Sequence, residues 1–140
     1  MAYSDIRNKL ETAAAALVTA LGISGLGIYT GADEDDQSLP KAVCIGDDFN
    51  EAIAETGNYN ATLHVRIVSS ADDTALSDHN STVATVMDEF LMDDLPSALS
   101  AAASDFHVHG VRSTEIETQR DGRSWVDTVK VNLMCCAKDV

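Results

Sequence analysis

An alternation of apolar and polar residues in the middle of the chain constrains the fold most. Apolar side chains occupy every second position from Tyr59 to Ile67, and polar side chains, including His64 and Arg66, fall between them. Successive side chains of a β-strand point to opposite faces of a sheet, so the pattern predicts a strand with one buried face and one polar face. We place this strand at Tyr59–Ser69.

The N-terminal segment predicts an amphipathic helix with Ser4 as its N-cap. Asp5 then lies in the first turn, where a carboxylate interacts favourably with the helix dipole. Apolar residues recur at helical spacing and form one stripe, which consists of Ile6, Leu10, Ala13, Leu17 and Leu21. Three charged residues fall off this stripe: Arg7, Lys9 and Glu11. We expect the helix to end at Gly22, Gly25 and Gly27, because glycine readily adopts the left-handed conformation.

Between this helix and the central strand, the sequence predicts two further strands and two acidic connections. A short strand at Ile28–Tyr29 is followed by an acidic loop, Gly31–Ser38. Pro40 then precedes an apolar strand, Lys41–Gly46, at a position where the missing N–H of proline is tolerated. The acidic segment Asp47–Asn58 leads to the central strand, and its pattern fits either a long hairpin arm or a flexible loop.

After the central strand, the pattern predicts a second helix and a closing hairpin. The helix starts in the Ser70–Asp73 segment and is broken by Pro96. Its apolar positions are Leu76, Val83, Val86, Met87, Phe90 and Leu91. Further helical turns are indicated by Leu95, Leu99 and Ala102. The hairpin joins the Val108–Ile116 region to Trp125–Cys135 through Asp121-Gly122, a strong hairpin-turn signal.

Together these elements predict an α+β domain. Its sheet is mixed or antiparallel, with four to five strands, and two main helices pack on one face. The first helix covers the apolar face of the Tyr59–Ile67 strand and of the final hairpin. The 140 residues, of which 45% are hydrophobic, fit a single domain spanning residues 1–140.

The chain is strongly acidic, with a net charge of −14 and an isoelectric point near 4.3. This balance argues against a surface that grips nucleic acid, since such a surface needs clustered Lys and Arg to neutralise phosphates. It is compatible with a surface that DNA must slide past without sticking. Plain solubility explains the acidic balance equally well.

The cysteines and the apolar runs indicate a reduced compartment and no membrane. Cys44, Cys135 and Cys136 form an odd set within apolar runs, which is typical of reduced core residues in a cytoplasmic protein. The sequence has no basic-then-apolar signal and no apolar run of about 18–20 residues that spans a bilayer. We therefore expect neither a disulfide framework nor membrane insertion.

The sequence patterns of catalysis and cofactor binding are missing. His107 and His109 share one strand face and His64 lies on another strand, but no pair of His or Cys has the spacing of a zinc site. The carboxylate pairs do not match a calcium loop, and there is no Gly-x-Ser-x-Gly elbow or phosphate-binding glycine fingerprint. We expect no enzyme, no metal and no cofactor, and a fold that its hydrophobic core holds together.

Several short motifs stand in a defined order along the chain. Ser4–Leu10 reads S-D-I-R-N-K-L on the first helix, Leu39–Gly46 places a proline before an apolar strand, and Ala61–Ile67 reads A-T-L-H-V-R-I on the central strand. A D-x-x-x-x-V-x-x-V-M helix at Asp78–Met87 and a hairpin follow. In this layout the chain resembles the tail terminator (tail-to-head joining) proteins of long-tailed phages, of the lambda type. The resemblance covers nearly the whole length, in the order and size of elements rather than in residue identity.

The resemblance implies a virion protein without catalytic activity. By resemblance, the chain assembles in the host cytoplasm into a hexameric ring at the head–tail junction. The ring caps the tail tube protein, ends its polymerisation and joins it to the head–tail connector protein, while DNA passes through without specific binding. Two alternatives stay open: another neck protein, such as a head-completion protein or tail tube subunit, and, from a different class, a small stand-alone enzyme or ligand-binding domain.

The two acidic connections are the candidate functional segments. They separate well-patterned elements and contain little to bury, and loops on a rigid scaffold often carry binding function. In a ring, such segments line the lumen or reach a neighbouring ring, so we expect them to act in assembly or DNA passage rather than in stability. The candidate residues are Asp33, Glu34, Asp35, Asp36, Asp47, Asp48 and Glu51.

Overall fold

The computed structural model describes residues 3–34, 36–51, 57–121 and 123–137 of the chain. It has an α+β fold, and the predicted order of helices and strands is confirmed. In chain order the elements are α1 (Tyr3–Ala20), β1 (Gly27–Thr30), β2 (Lys41–Glu51), β3 (Asn58–Ser70), α2 (Leu76–Phe90), α3 (Leu95–Ala102), β4 (Phe106–Asp121) and β5 (Ser124–Ala137).

The five strands form one mixed sheet in the order β1-β2-β3-β5-β4. β1 runs parallel to β2, and the other neighbouring pairs are antiparallel. β3 pairs with β5 along its whole length, from Asn58 opposite Cys136 to Ser70 opposite Ser124. β3 is the central strand of the sheet, in agreement with its alternating pattern.

The three helices cover the same face of the sheet. Apolar side chains of β3 and β5, such as Leu63 and Val131, are buried in one cluster with the apolar residues of all three helices. The buried stripe of α1 consists of Ile6, Leu10, Ala13, Ala14 and Val18, while Leu17 and Leu21 lie at its partly buried margin. Within the described ranges no helix covers the opposite face, which we call the open face.

The ends of the helices follow the glycine signals more closely than the serine signals. α1 begins at Tyr3, so Ser4 lies inside the first turn and is not the N-cap that the sequence predicts. After α1, Gly22 and Gly25 adopt φ values of 66° and 77°, as predicted for residues that end a helix. Contrary to the prediction, Pro96 does not break the second helix, because α2 already ends at Phe90. Pro96 lies instead in the first turn of α3, where its missing N–H is not needed.

The second helix starts later than predicted. The Ser70–Asp73 segment forms a turn, in which the Thr74 N–H donates to the Ser70 carbonyl oxygen at 2.9 Å. Trp125 Nε1 donates to the Thr74 carbonyl oxygen at 3.1 Å and so holds the turn against β5. α2 then begins at Leu76. The prediction is wrong because Ser and Asp are favoured in turns as well as at helix N-termini.

One charged residue of α1 is buried, contrary to the prediction that it lies off the apolar stripe. Glu11 is 4% exposed, and its Oε2 accepts the Gly46 backbone N–H of β2 at 2.8 Å. Arg7 Nε lies 3.5 Å from the same oxygen. The helical pattern did not reveal this role because the partner lies 35 residues further along the chain.

β2 continues beyond the predicted strand and forms a long arm with β3. It runs through Gly46 to Glu51, so the hairpin-arm interpretation of the acidic segment is confirmed as far as the structure describes it, and residues 52–56 lie outside the described residues. Asp47 pairs with Thr62 and Asn50 pairs with Asn60, so β2 holds one extra residue, a β-bulge. Asp48, within the bulge, has a φ of 52°.

Replacing Glu11 by Leu should lower the free energy of unfolding by about 1–3 kcal/mol, because the buried N–H of Gly46 loses its acceptor. Glu11→Gln should cost less, since the amide oxygen still accepts this hydrogen bond. Urea denaturation measures both effects, and Glu115→Gln, at an exposed site, serves as the control. A Glu11→Leu variant as stable as the parent would show that Glu11 does not support β2.

Candidate functional site

The two acidic segments predicted as functional meet at one groove on the open face. The groove has a volume of about 320 Å³ and is lined by Asp33, Ile45, Asp47, His64, Arg66, Glu117, Thr128 and Lys130. Six of these eight side chains carry ionisable groups of both signs. Ligand sites are typically apolar pockets with a few convergent polar groups. This groove is lined mainly by charged residues and does not have that character.

Asp33 is tied into the scaffold by two ion pairs. Its carboxylate oxygens lie 2.5 Å from Lys41 Nζ and 2.6 Å from Arg66 Nε. Lys41 is only 4% exposed, and its ammonium also donates to the Glu34 carbonyl oxygen at 2.8 Å and to Gln37 Oε1 at 3.2 Å. A buried ammonium group needs such partners to offset its desolvation. Asp33 therefore fastens the acidic loop to β2 and β3, a structural role that the sequence pattern did not reveal.

The other acidic candidates are placed differently. Glu34 and Asp36 are exposed on the loop between β1 and β2, and Asp35 lies outside the described residues. Glu51 ends β2. Asp47 and Asp48 are exposed in the bulge of β2, beside His64. The fold thus brings Asp33, Asp47 and Asp48 to the same region of the open face, 14 and 15 residues apart in the chain.

The three histidines considered for a zinc site do not converge. His107 and His109 share a face as predicted, and their rings contact edge to face with centroids 4.7 Å apart. His109 Nε2 lies 2.8 Å from Asn58 Oδ1. His64 pairs with Lys130 in the middle of the sheet, whereas His107 lies opposite the Cys136 end of β5. His64 is therefore remote from the other two.

The cysteines divide into two buried thiols and one on the open face. Burial, reinforced by the charge of Glu11, raises the pKa of the Cys44 thiol to about 12. Burial, reinforced by Cys136, raises the pKa of the Cys135 thiol to about 12. Both thiols stay protonated at neutral pH and are poor nucleophiles. Cys136, predicted as a core residue, is only half-buried, with its Sγ 3.2 Å from His109 Nε2, because adjacent strand residues point to opposite faces.

A buried chain of hydrogen bonds joins α2 to the sheet. His79 is fully buried, and its Nδ1 lies 2.8 Å from Ser69 Oγ of β3, while its Nε2 lies 2.7 Å from Asp127 Oδ2 of β5. Thr118 Oγ1 donates to Asp127 Oδ1 at 2.5 Å, and Arg120 Nη1 donates to Asp127 Oδ2 at 3.3 Å. The two hydrogen-bond partners of His79, Ser69 and Asp127, lie on the neighbouring strands β3 and β5. His79 therefore anchors α2 at a defined position over the sheet.

The residue types match those of a hydrolytic Ser-His-Asp triad, but their surroundings do not. Ser69 is 2% exposed, His79 0% and Asp127 3%, so a substrate cannot reach the hydroxyl group. A catalytic nucleophile has to face a cleft that admits the substrate. The arrangement therefore acts as a structural polar network and gives no support to the enzyme alternative.

The charge of Asp127 is stabilised within this network. Burial disfavours the ionised carboxylate, but the hydrogen bonds from Thr118 and His79 and the charge of Arg120 outweigh burial and lower the pKa of the Asp127 carboxyl. The sequence contains a signal for this network that apolar periodicity alone does not reveal. His79 lies one helical turn before Val83 on the apolar side of α2. Asp127 lies between Trp125 and Val129 on the same face of β5.

Comparisons with known proteins assign the chain to no family. No family model matches it, and no curated protein matches its sequence. Among the described residues, no helix is long and apolar enough to cross a membrane. Support for a function therefore comes from the geometry of the chain and from its layout.

Asp33→Ala should lower the free energy of unfolding by about 1–3 kcal/mol, because the nearly buried ammonium of Lys41 loses its charged partner. Asp36→Ala, at an exposed position of the same loop, should change it by about 0.5 kcal/mol or less. Urea denaturation of the two variants provides the comparison. If both are as stable as the parent, Asp33 is a solvated loop residue like Asp36.

Asp127→Asn should also destabilise the protein by about 1–3 kcal/mol near neutral pH. The pKa of Asp127 is lower in the folded protein than its ordinary value of 3.8. Its stabilisation is therefore fully present above the unfolded pKa and is lost as the pH falls through the lower, folded pKa.

The stability difference between the parent and Asp127→Asn should accordingly be constant above about pH 5 and shrink below about pH 4. Urea denaturation at a series of pH values measures it, with Asp72→Asn, in an exposed turn, as the control. A difference that does not change across this range would mean that the carboxylate charge of Asp127 is not what stabilises the network.

Proposed function

We propose that the chain is a tail terminator of a long-tailed phage, a structural virion protein of the head–tail junction. Copies of the chain form a ring, six subunits by analogy with the family that it resembles. The ring caps the tail tube, ends its polymerisation and joins it to the head connector, and DNA passes through its lumen. Two properties support the proposal: the order and size of the elements, which resemble the layout of that family, and the long edge of β4.

The observation that carries this proposal is the exposed edge of β4. β4 has 16 residues and pairs with β5 on one side, and no described strand lies on its other side. The opposite edge strand, β1, has only 4 residues. A long exposed edge carries a row of unpaired N–H and C=O groups that readily pair with another chain. Natural monomers usually cover, shorten or bulge such an edge. The start of β4 is protected in this way, since the Val108 N–H donates to Ser100 Oγ of α3 at 2.9 Å, so the regular stretch Ser113–Asp121 is the part suited to a subunit contact.

Two β-bulges interrupt the first half of this edge. They fall between Val108 and Gly110 and between Val111 and Ser113, where β4 has one extra residue each time. Bulges bend and twist an edge strand and so prevent indiscriminate pairing with other chains. We therefore expect a neighbouring subunit to pair with the regular stretch Ser113–Asp121, beyond the bulges.

Exposed apolar side chains lie beside the same edge. Leu91 is 53% exposed, Met92 49% and Ile116 44%. Leu91 and Met92, at the end of α2, line a shallow groove with Val111 and Thr114 of β4. Exposed apolar residues that cluster next to one strand edge are typical of an interaction surface. The polar edge and its apolar border together provide hydrogen bonds and buried area for a neighbouring subunit.

The acidic balance suits a passage for DNA and influences assembly. Subunits with a charge of −14 repel phosphates, so a lumen that they line does not retain DNA. The same charge makes the subunits repel one another. We therefore expect rings in solution to be favoured by salt, which screens this repulsion. The exposed candidates Glu34, Asp36, Asp47 and Asp48 are the residues we assign to the lumen or to a neighbouring ring.

The assay specific to a terminator is capping of the tail tube. Purified chain is added to the polymerising tail tube protein of the same phage, and tube lengths are measured by electron microscopy. Shorter tubes that carry a ring at one end are expected. Tubes of unchanged length would exclude a terminator, and a ring seen without capping would favour another neck protein.

Leu91→Gln should weaken assembly by about tenfold or more, because burial of a leucine side chain is worth about 1.5–3 kcal/mol. Leu76→Gln is a matched control, since Leu76 is 40% exposed at the other end of the same helix and away from β4. Native mass measurements across protein and salt concentrations give the oligomer fraction. If both substitutions weaken assembly equally, or neither weakens it, the apolar residues beside β4 are not part of the subunit interface.

A further inference from the structure

Two adjacent carboxylates and an imidazole converge on the open face. Ligand atoms of Asp47, Asp48 and His64 all lie within 4.8 Å of one another. The residues are 16 and 17 positions apart in sequence, on the paired strands β2 and β3. Sequence spacing gives no sign of this group, because the register of the two strands brings its members together.

The β-bulge of β2 explains how two consecutive residues reach the same histidine. In a regular strand, adjacent side chains point to opposite faces, so only one of Asp47 and Asp48 would approach His64. The extra residue of the bulge and the φ of 52° at Asp48 redirect the chain. The following residue, Phe49, then packs against the core, near Gly46. Both carboxylates are left on the side of His64.

The imidazole of His64 has an unused nitrogen. Its Nε2 is buried and has no hydrogen-bond partner in the described residues. A buried polar atom without a partner costs free energy, and an imidazole can bind a metal ion through either of its ring nitrogens. This observation is independent of the acidic pair, and it points to a ligand that supplies what the protein does not.

The cationic side chains nearby are occupied by other partners. Arg66 Nε lies 2.6 Å from Asp33 Oδ2, and Lys130 Nζ is hydrogen-bonded to Glu117. Asp47 Oδ1 accepts the Asp48 backbone N–H at 2.9 Å, which orients that carboxylate and leaves its second oxygen available. The two carboxylates lie close enough to repel each other. The ammonium of Lys130 is near enough to interact with the charge of Asp48, but a divalent cation bound between the carboxylates relieves their repulsion directly.

We propose that Asp47, Asp48 and His64 bind one divalent transition-metal ion of the zinc type. One imidazole and two carboxylates suit Zn²⁺ or Co²⁺ better than Mg²⁺ or Ca²⁺, which prefer oxygen ligands alone. At metal–ligand distances of about 2.0–2.2 Å the three ligand atoms sit about 3.3 Å apart, so side-chain rotations of the exposed aspartates close the site. Three protein ligands leave a position for water.

This site departs from the expectation of no metal that the sequence spacing gave. The ion lies on the open face, away from the apolar cluster, so the fold does not depend on it. The proposal also does not depend on the tail terminator function, since it is built from side chains of a single chain.

Titration of the purified chain with Zn²⁺, followed by isothermal calorimetry, tests the proposal. One ion should bind per chain, and Co²⁺ should give the visible absorption bands of a low-symmetry, four-coordinate site. His64→Asn and Asp48→Asn should each weaken Zn²⁺ binding by at least about tenfold. Thermal melting of each variant, which should match the parent, shows that the loss is local.

His109→Asn and Asp36→Asn are the matched controls, since they remove an exposed histidine and an exposed aspartate elsewhere. Both should bind Zn²⁺ like the parent. The proposal is overturned by the absence of binding to the parent, by unchanged binding to His64→Asn, or by loss of binding in His109→Asn. Displacement of Zn²⁺ by equimolar Mg²⁺ or Ca²⁺ would likewise exclude an imidazole ligand.

Discussion

The rest of the structure depends on a sheet that helices cover on one face. The apolar faces of β3 and β5 hold α1, α2 and α3 in a single core, and the open face is mainly polar apart from the buried side chains of Val43, Val68 and Val126. A sheet covered on one side keeps its edges accessible unless a further element covers them. The strand order places β4 at one edge of this sheet, and the open face carries the polar side chains that bring the acidic segments to one groove.

Local periodicity was enough to predict the elements, but it did not reveal the partners across the fold. The alternation around Leu63 and the helical stripe of α1 each lie within one segment, so both were readable from the sequence. Glu11 and His79 are polar residues on the buried faces of helices. Their partners, the Gly46 N–H and the Asp127 carboxylate, lie on strands of the sheet. A polar residue on an apolar face is a sequence signal of this kind, but its partner becomes known only with the fold.

The candidate site was predictable in part. The acidic segments were identified from composition, and the hairpin arm was one of two interpretations of the second segment. The meeting of Asp47, Asp48 and His64 was not predictable, because a single extra residue in β2 changes which side chains face β3. Asp33, which composition grouped with the solvated carboxylates, proved to be an ion-pair partner of Lys41 and Arg66.

The central claim is that the chain assembles through the edge of β4. Hydrogen exchange of the backbone amides, compared between dilute monomer and assembled protein, tests it most directly. The account predicts that peptides covering Phe106–Asp121 and the end of α2 gain protection on assembly, together with a second surface, because a ring contact joins two different surfaces of neighbouring subunits. Assembly that leaves exchange in Phe106–Asp121 unchanged, and protects another surface instead, would contradict it.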